Sequence, residues 1–424
     1  MTRISIHESD NNSQLYNMRV SELGCLIVIN LLAFQLYFQD AYGGAFSYID
    51  EAACILLAVA CLKYRGGIES AVRGSLILLA LLVVDGLVGT VVNQIQLSTY
   101  AIAIDVVTCS KFIVTVVALF LILGSIHLTD AFVNMLQAEA KLIIAVAALC
   151  GCISLSIDIG MNTNEVRFGL KSFEFIFSHP EVVNLLMVGL IAILCSSYRR
   201  NRFWMLLALL PMVLTLRTKA IGFAILASIL ILGIPSFRRS WKLVVALLVL
   251  VILVVAWSQI TNYYENDAQA RNQLLNGGLL LANRYFPLGT GFATYGSAIT
   301  AQAEFYSPLY ESLGLSTVYG LSVLSSSFIS DTFWPILLGQ FGWAGTLLYA
   351  GSIFLLLKAI YAKASLCNAS GDVGPFLAML ITFAYLFISS LASSAFFAPM
   401  SVYLAICLMI TVSYRLHADD VEDV

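Results

Sequence analysis

The run SLILLALLVVDGLVGTVV, residues 75 to 92, holds one charged side chain in eighteen positions. Such a stretch cannot be a surface helix of a water-soluble domain. It has the length and apolarity of a helix crossing a bilayer, where about 20 residues span the hydrocarbon. Similar runs recur near 23–38, 46–62, 106–126, 142–160, 182–198, 203–216, 220–235, 243–260, 334–357, 375–394 and 396–413. Inside a bilayer each backbone N–H and C=O must be satisfied within the protein, and helices do this segment by segment. The expectation is an all-α polytopic integral membrane protein of about 12 transmembrane helices. Composition supports it, with 60% hydrophobic and 11% charged residues and a mean hydropathy of +0.90. A net charge of -3 and the lack of a basic, aromatic-interleaved patch exclude nucleic-acid binding.

The nine cysteines fall almost entirely in apolar runs, which suits small packing residues and not a disulfide framework. The polar start MTRISIHESDNNSQLYNMRVSELG lacks a small-residue cleavage site after the first apolar run, so that run reads as an uncleaved span.

Lysine and arginine set the orientation. With the N-terminus in the cytoplasm, fifteen of the 22 basic residues fall inside, six outside, and Lys111 within a span. The six are Arg167, Lys171, Arg217, Lys219, Arg271 and Arg284. Both termini are then cytoplasmic. The chain divides into nine spans with short loops over 1–260, a large extracytoplasmic loop over 261–333, and three spans with an acidic tail, ADDVEDV, over 334–424. Inward cations follow from topology alone, whereas outward ones need another reason, such as an anionic ligand.

The large loop opens with an amphipathic helical pattern, NDAQARNQLLNGGLLLANRYF, followed by YFPLGTGFATYG at 285–296. The glycine spacing is not G-x-G-x-x-G and no strand precedes it, which argues against a dinucleotide site. Two readings remain: a plain turn, or a backbone-amide cradle for phosphate built on Gly289 and Gly291 beside Arg284. The tyrosines that follow, with Tyr295, suit either an interfacial belt or stacking on sugar rings.

Four stretches together resemble the O-antigen polymerase and ligase superfamily, the Wzy-like membrane enzymes of bacterial surface polysaccharides. They are RFGLKSFEFIFSHPEVVNLL, LALLPMVLTLRTKAIGFAIL, ARNQLLNGGLLLANRYFPLGTGF and SDTFWPILLGQFGWAGTLLYAG. In the ligase branch a histidine base precedes the last motif; Asp331 stands there in this chain and leans towards the polymerase branch. The resemblance implies glycosyl transfer at the outer face of a bacterial cytoplasmic membrane, on a polyprenyl-diphosphate-linked oligosaccharide that makes exopolysaccharide, capsule or O-antigen. It also implies membrane lipids, a flippase and a chain-length regulator as partners. A glycan ligase and a transporter or flippase of lipid-linked sugars are the alternatives.

The chemistry of that step can be stated from first principles. Negative charge grows on a departing diphosphate, and fixed cations stabilise it more in the transition state than before. Arginine binds phosphate oxygens with a planar fork that stays charged. Arg217 and Arg271 are the leading candidates, with Arg284, Lys219 and Arg167 in support; each also fits an interfacial cation reaching lipid headgroups. A sugar hydroxyl needs a base, and Asp331, where the loop meets a span, is the candidate. It reads equally as a helix N-cap before TFWP. His179, the only outward histidine, is a lesser candidate for base or hydroxyl contact, and Pro180 after it favours a structural turn. No metal site or cofactor motif is apparent, so activity that survives chelators is expected. Asp85, Asp105 and Lys111 within spans carry the transporter alternative.

Overall fold

The computed structural model describes residues 19–64, 68–237 and 269–422. The apolar window at 243–260, the first eight residues of the large loop, and Arg3, Arg65, Arg238, Arg239 and Lys242 lie outside them.

Most of the chain is helical: α1 Val20–Ala33, α2 Gln35–Tyr42, α3 Ile49–Cys61, α4 Ser70–Asn93, α5 Thr99–Leu123, α6 Asp130–Ser154, α7 Pro180–Leu194, α8 Tyr198–Leu214, α9 Thr218–Phe237, α10 Ala270–Arg284, α11 Trp334–Ser370, α12 Gly374–Ser390 and α13 Met400–Glu422. Among the described residues, six stretches are long and apolar enough to cross a membrane: Gly44–Cys61, Ser70–Asn93, Thr99–Leu123, Asp130–Ser154, Pro180–Leu214 and Trp334–Asn368. The bent α1–α2 pair, kinked by 66°, adds a seventh if it is one span. Within Pro180–Leu214 the chain doubles back at Cys195–Ser197, which brings Thr215 Oγ1 to 3.5 Å from Asn184 Oδ1. The α6 helix begins twelve residues before its apolar window, because Thr129 caps it (Phe132 N to Thr129 Oγ1, 3.2 Å) and its first turns are amphipathic.

A helix apolar all round belongs inside a bundle. All fifteen residues of α7 are buried, and α12 and the Met400–Ser413 part of α13 are nearly so. Around these three stand α5, α8, α9 and α11. On the outside, α3, α4 and α6 turn Ile55, Leu56, Val84, Val91, Leu142 and Leu149 outward, a face suited to lipid.

The bundle has two ends. At one, Arg19 donates to the carbonyl of His127 at 3.3 Å, Tyr414 to Asp130 at 2.6 Å, and Lys363 lies over Phe120. That end carries Arg19, Lys63, Arg73, Arg199, Arg200, Arg202 and Lys363. The connections at the other end carry Arg167, Lys171, Arg217, Lys219, Arg271 and Arg284.

One departure from all-α is a two-stranded antiparallel hairpin between α6 and α7, β1 Asn162–Arg167 and β2 Leu170–Phe173. Its turn, Phe168–Gly169, has φ of 52° and 80°, the left-handed pair that closes tight hairpins.

The described part of the large loop is folded, not open. Helix α10 packs along the start of α11; a Cβ at Gly278 would come within 2.8 Å of Pro335 O. Leu274, Leu281, Tyr295, Leu309, Tyr310, Leu315, Leu321 and Ile329 form a small core. Tyr295 and Tyr310 stack with ring centroids 5.8 Å apart. Tyr295 donates to Leu274 O, and Tyr310 accepts from Gly296 N, each at 2.6 Å. Tyr295 is therefore a core residue, neither at an interface nor open to a sugar.

The glycine loop has a structural task. Helix α11 breaks at Gly342 (φ 59°, ψ -161°), which releases carbonyls that the bilayer cannot satisfy. Residues 287–296 fill the break: Thr290 N donates to Gly339 O at 3.0 Å, Gly291 N to Gln340 O at 2.8 Å, and Ala344 N to Pro287 O at 3.4 Å. On the far side Phe292 N donates to Thr90 Oγ1 of α4 at 2.9 Å, and Asn93 Nδ2 to Gly289 O at 3.0 Å. Asp105 of α5 accepts from Ala293 N at 2.7 Å and from Ser297 Oγ. The loop thus stitches α4, α5 and α11 together.

Two of the intramembrane charges, Lys111 and Asp105, engage separate partners, while Asp85 Oδ2 is buried with no hydrogen-bond partner among the described residues. Lys111 pairs with Asp50, and with Glu51 at 3.1 Å, and Asp50 also accepts from Gln35 at 2.6 Å. Asp105 belongs to the glycine loop. A buried charge paired in this way holds helices in register; Lys111 fastens α5 to α3.

Candidate functional site

The start of α7, the start of α9, the start of α10, the hairpin and the segment before α11 converge on a cavity of about 670 Å³. Arg167 reaches it from the end of β1, His179 from the N-cap of α7, Arg217 and Lys219 from the α8–α9 turn, Arg271 from the first turn of α10, and Asp331 from the run into α11. Three helix N-termini therefore face the same space, and their dipoles add to the positive field of the side chains.

Each cation meets an acid. Arg271 holds Asp331 Oδ2 through Nε at 3.0 Å and NH2 at 2.6 Å, and NH2 also reaches Ala392 O at 3.2 Å. Lys219 lies 2.8 Å from Glu181 Oε2, deep in the wall. Glu181 Oε1 accepts from Ser389 Oγ at 2.6 Å and from Tyr385 OH at 2.9 Å, so this pair is fully built in. Glu165 bridges two arginines: Oε1 takes Arg167 Nε at 2.9 Å and NH2 at 2.5 Å, and Oε2 lies 3.1 Å from Arg217 NH2. Arg217 Nε is buried with no partner among the described residues. A buried guanidinium N–H without a protein partner remains able to donate to an acceptor.

Burial pushes the Asp331 carboxyl above its usual range, against the pull of Arg271 and Lys219. Burial lowers His179 against the opposing charge of Glu181, and Arg217 and Lys219 also lower it, which favours the neutral imidazole at pH 7. Its Nδ1 accepts from Glu181 N at 3.2 Å, which leaves the proton on Nε2. Burial opposes the charge on Glu165 as well, but the Arg167 hydrogen bond and the charges of Arg217 and Arg167 prevail and hold it low.

Six residues singled out in the sequence thus share one cavity: Arg167, His179, Arg217, Lys219, Arg271 and Asp331. Four do not line it. Arg284 ends α10 exposed, with its guanidinium 5.8 Å from the Tyr285 ring. Gly289 and Gly291 are buried in the α11 break, where the loop's N–H groups are spent on helix carbonyls and cannot cradle a phosphate. Tyr295 lies in the small core, and it is Tyr319, 79% exposed, that stands at the cavity. Nor does Asp331 cap a helix: the N-cap of α11 is Phe333, and the Asp331 carboxylate is turned to Arg271. His179 is both the α7 cap and a wall of the cavity.

Glu165, Glu181, Ser327, Phe328 and Ser393 were not expected here. The one signal for the acids was proximity: Glu165 and Glu181 lie two residues from Arg167 and His179.

No family model matches this chain, and no curated protein matches it.

Proposed function

We propose that the protein is a membrane glycan polymerase that joins lipid-linked oligosaccharide units, and that the cavity is its active site. One observation carries the reading. Four cations and a half-buried carboxylate surround a single cavity at the end of the bundle that is poorer in lysine and arginine. By the positive-inside rule that end is extracytoplasmic, with both termini in the cytoplasm, about twelve spans in all and a bacterial cytoplasmic membrane as the setting.

The step follows from the groups available. The diphosphate of the donor lies against Arg217, Arg167, Lys219 and Arg271. The acceptor hydroxyl approaches Asp331, whose carboxylate takes its proton as the oxygen attacks the anomeric carbon. The anomeric C–O bond breaks, and its electron pair leaves on the lipid diphosphate, where the guanidinium groups hold the charge. Arg271 orients Asp331 and stands next to the leaving group at once. Flippase and chain-length regulator proteins are the partners that this reaction calls for.

The reading is tested with purified protein in proteoliposomes supplied with lipid-linked repeat units. A ladder of longer glycans on the donor lipid is expected. Glycan on a different lipid or protein acceptor makes it a ligase, and units that only change leaflet make it a transporter.

The pH dependence follows from the base. Asp331 works ionised, and burial raises its pKa, so the rate falls as pH drops through a value above the ordinary carboxylate range of about 4. A pH–rate profile whose acid limb lies at or below that range removes Asp331 from the role.

A further inference from the structure

Among the acids at the cavity, one is held differently from the rest. Glu181 is locked by Lys219, Ser389 and Tyr385, and Asp331 is clasped by Arg271, itself braced on Ala392 O. Glu165 sits on an exposed strand, its side chain 45% accessible, and the partners of its carboxylate are Arg167 and Arg217. The strand pairs irregularly with β2, with a register shift between Asn162 and Val166, and the tip residues Val166, Phe168 and Leu170 are exposed. Nothing in this hairpin requires the Glu165 carboxylate for packing.

The geometry is that of a bound ligand. Two guanidinium groups are bridged by one anionic group, each oxygen serving a different arginine, as a phosphate does. We propose that Glu165 is a built-in stand-in for a phosphate group: its carboxylate fills the anion subsite between Arg167 and Arg217 in the resting protein, and a ligand phosphate displaces it. This rests on the reading of the cavity as a diphosphate site.

Displacement has a chemical consequence. A phosphate group brings nearly two charges and three acceptor oxygens, enough to replace a carboxylate on both arginines and to meet the unpartnered Arg217 Nε. A carboxylate ligand, such as an acidic sugar, offers no more than Glu165 already supplies. The subsite therefore selects phosphate over carboxylate. It also keeps two arginines neutralised and in place while the cavity is empty. The ion pair is partly exposed, so its loss is tolerable and the exchange is reversible.

The test is binding of inorganic pyrophosphate to the full chain, in neutral-lipid nanodiscs, by calorimetry. Glu165→Gln removes the competing charge at constant shape and is expected to tighten pyrophosphate about tenfold. Glu165→Ala should do the same, which guards against a side effect of one substitution. Adding Arg217→Ala to Glu165→Gln should erase the gain, and glucuronate should bind wild type at least tenfold more weakly than pyrophosphate. Discs containing phosphatidic acid separate the sources: if lipid headgroups fill the subsite, the Glu165→Gln gain shrinks in them, and if free or lipid-linked diphosphate does, it stays; either result supports the stand-in. Should wild type bind pyrophosphate while both Glu165 variants bind it no tighter, the stand-in is wrong and the diphosphate reading survives. No pyrophosphate binding by any of these proteins overturns both.

Discussion

Arg217→Ala is expected to lower glycan-forming turnover by about 100-fold or more while the protein still inserts and folds. The magnitude is that of removing one fixed donor from a site where negative charge develops. Arg217 suits the experiment because it contributes little to the fold. Its ion pair is to the half-exposed Glu165, and its Nε is buried without a partner among the described residues. Loss of activity therefore cannot be charged to unfolding, and a melting curve of the variant within a few degrees of wild type checks this. Arg271→Ala should be as damaging to turnover, but it also strips Asp331 of its clasp and frees Ala392 O. Arg271→Lys separates the effects, since lysine keeps the charge but cannot hold one carboxylate oxygen through two nitrogens. The measurement is the initial rate of lipid-linked unit consumption in proteoliposomes. An Arg217→Ala enzyme that retains a third of wild-type turnover would sink the assignment of this cavity as the active site.

These cations could be found in the sequence because topology makes them odd. The positive-inside rule accounts for a basic residue at one bundle end and leaves those at the other unexplained. Acids obey no comparable rule, so Glu165 and Glu181 passed unnoticed although each touches a residue that did not. The apolar windows located helices well where burial was uniform, as in α7, and poorly where a helix began with amphipathic turns, as in α6. The hairpin left no trace, since NTNEVR and LKSF show little alternation of polar and apolar residues. Asp331 illustrates the general limit. Its neighbours in sequence suggested a cap, and only the approach of Arg271, sixty residues away, decides where the carboxylate turns.

The glycine loop, which the sequence leaves open between a turn and a cradle, is likewise decided by distant backbone, and its packing role sets the second large effect. Gly289→Ala should prevent accumulation of folded protein, whereas Arg284→Ala, five residues earlier, should leave stability within about 0.5 kcal/mol. A methyl group at Gly289 would lie 2.2 Å from Gln340 O and 2.3 Å from Gln340 C, backbone atoms of the broken helix that have no rotamer to change. Relief requires the loop to back out of the break. That would strip Thr290, Gly291 and Ala344 of their bonds to Gly339, Gln340 and Pro287 in a region without water to replace them. Overpacking alone costs about 1–3 kcal/mol, and orphaned backbone groups add about 1–3 kcal/mol each, against a total stability of roughly 5–15 kcal/mol. Gly291→Ala should follow the same course, because φ is +99° there and the added carbon would meet Thr90 N at 2.5 Å. Yield of monodisperse protein after detergent extraction, compared among the three variants, reads the outcome. If Gly289→Ala purifies like wild type and loses only activity, the loop is a ligand cradle after all. The sharp difference between Gly289 and Arg284 would then have no basis in packing.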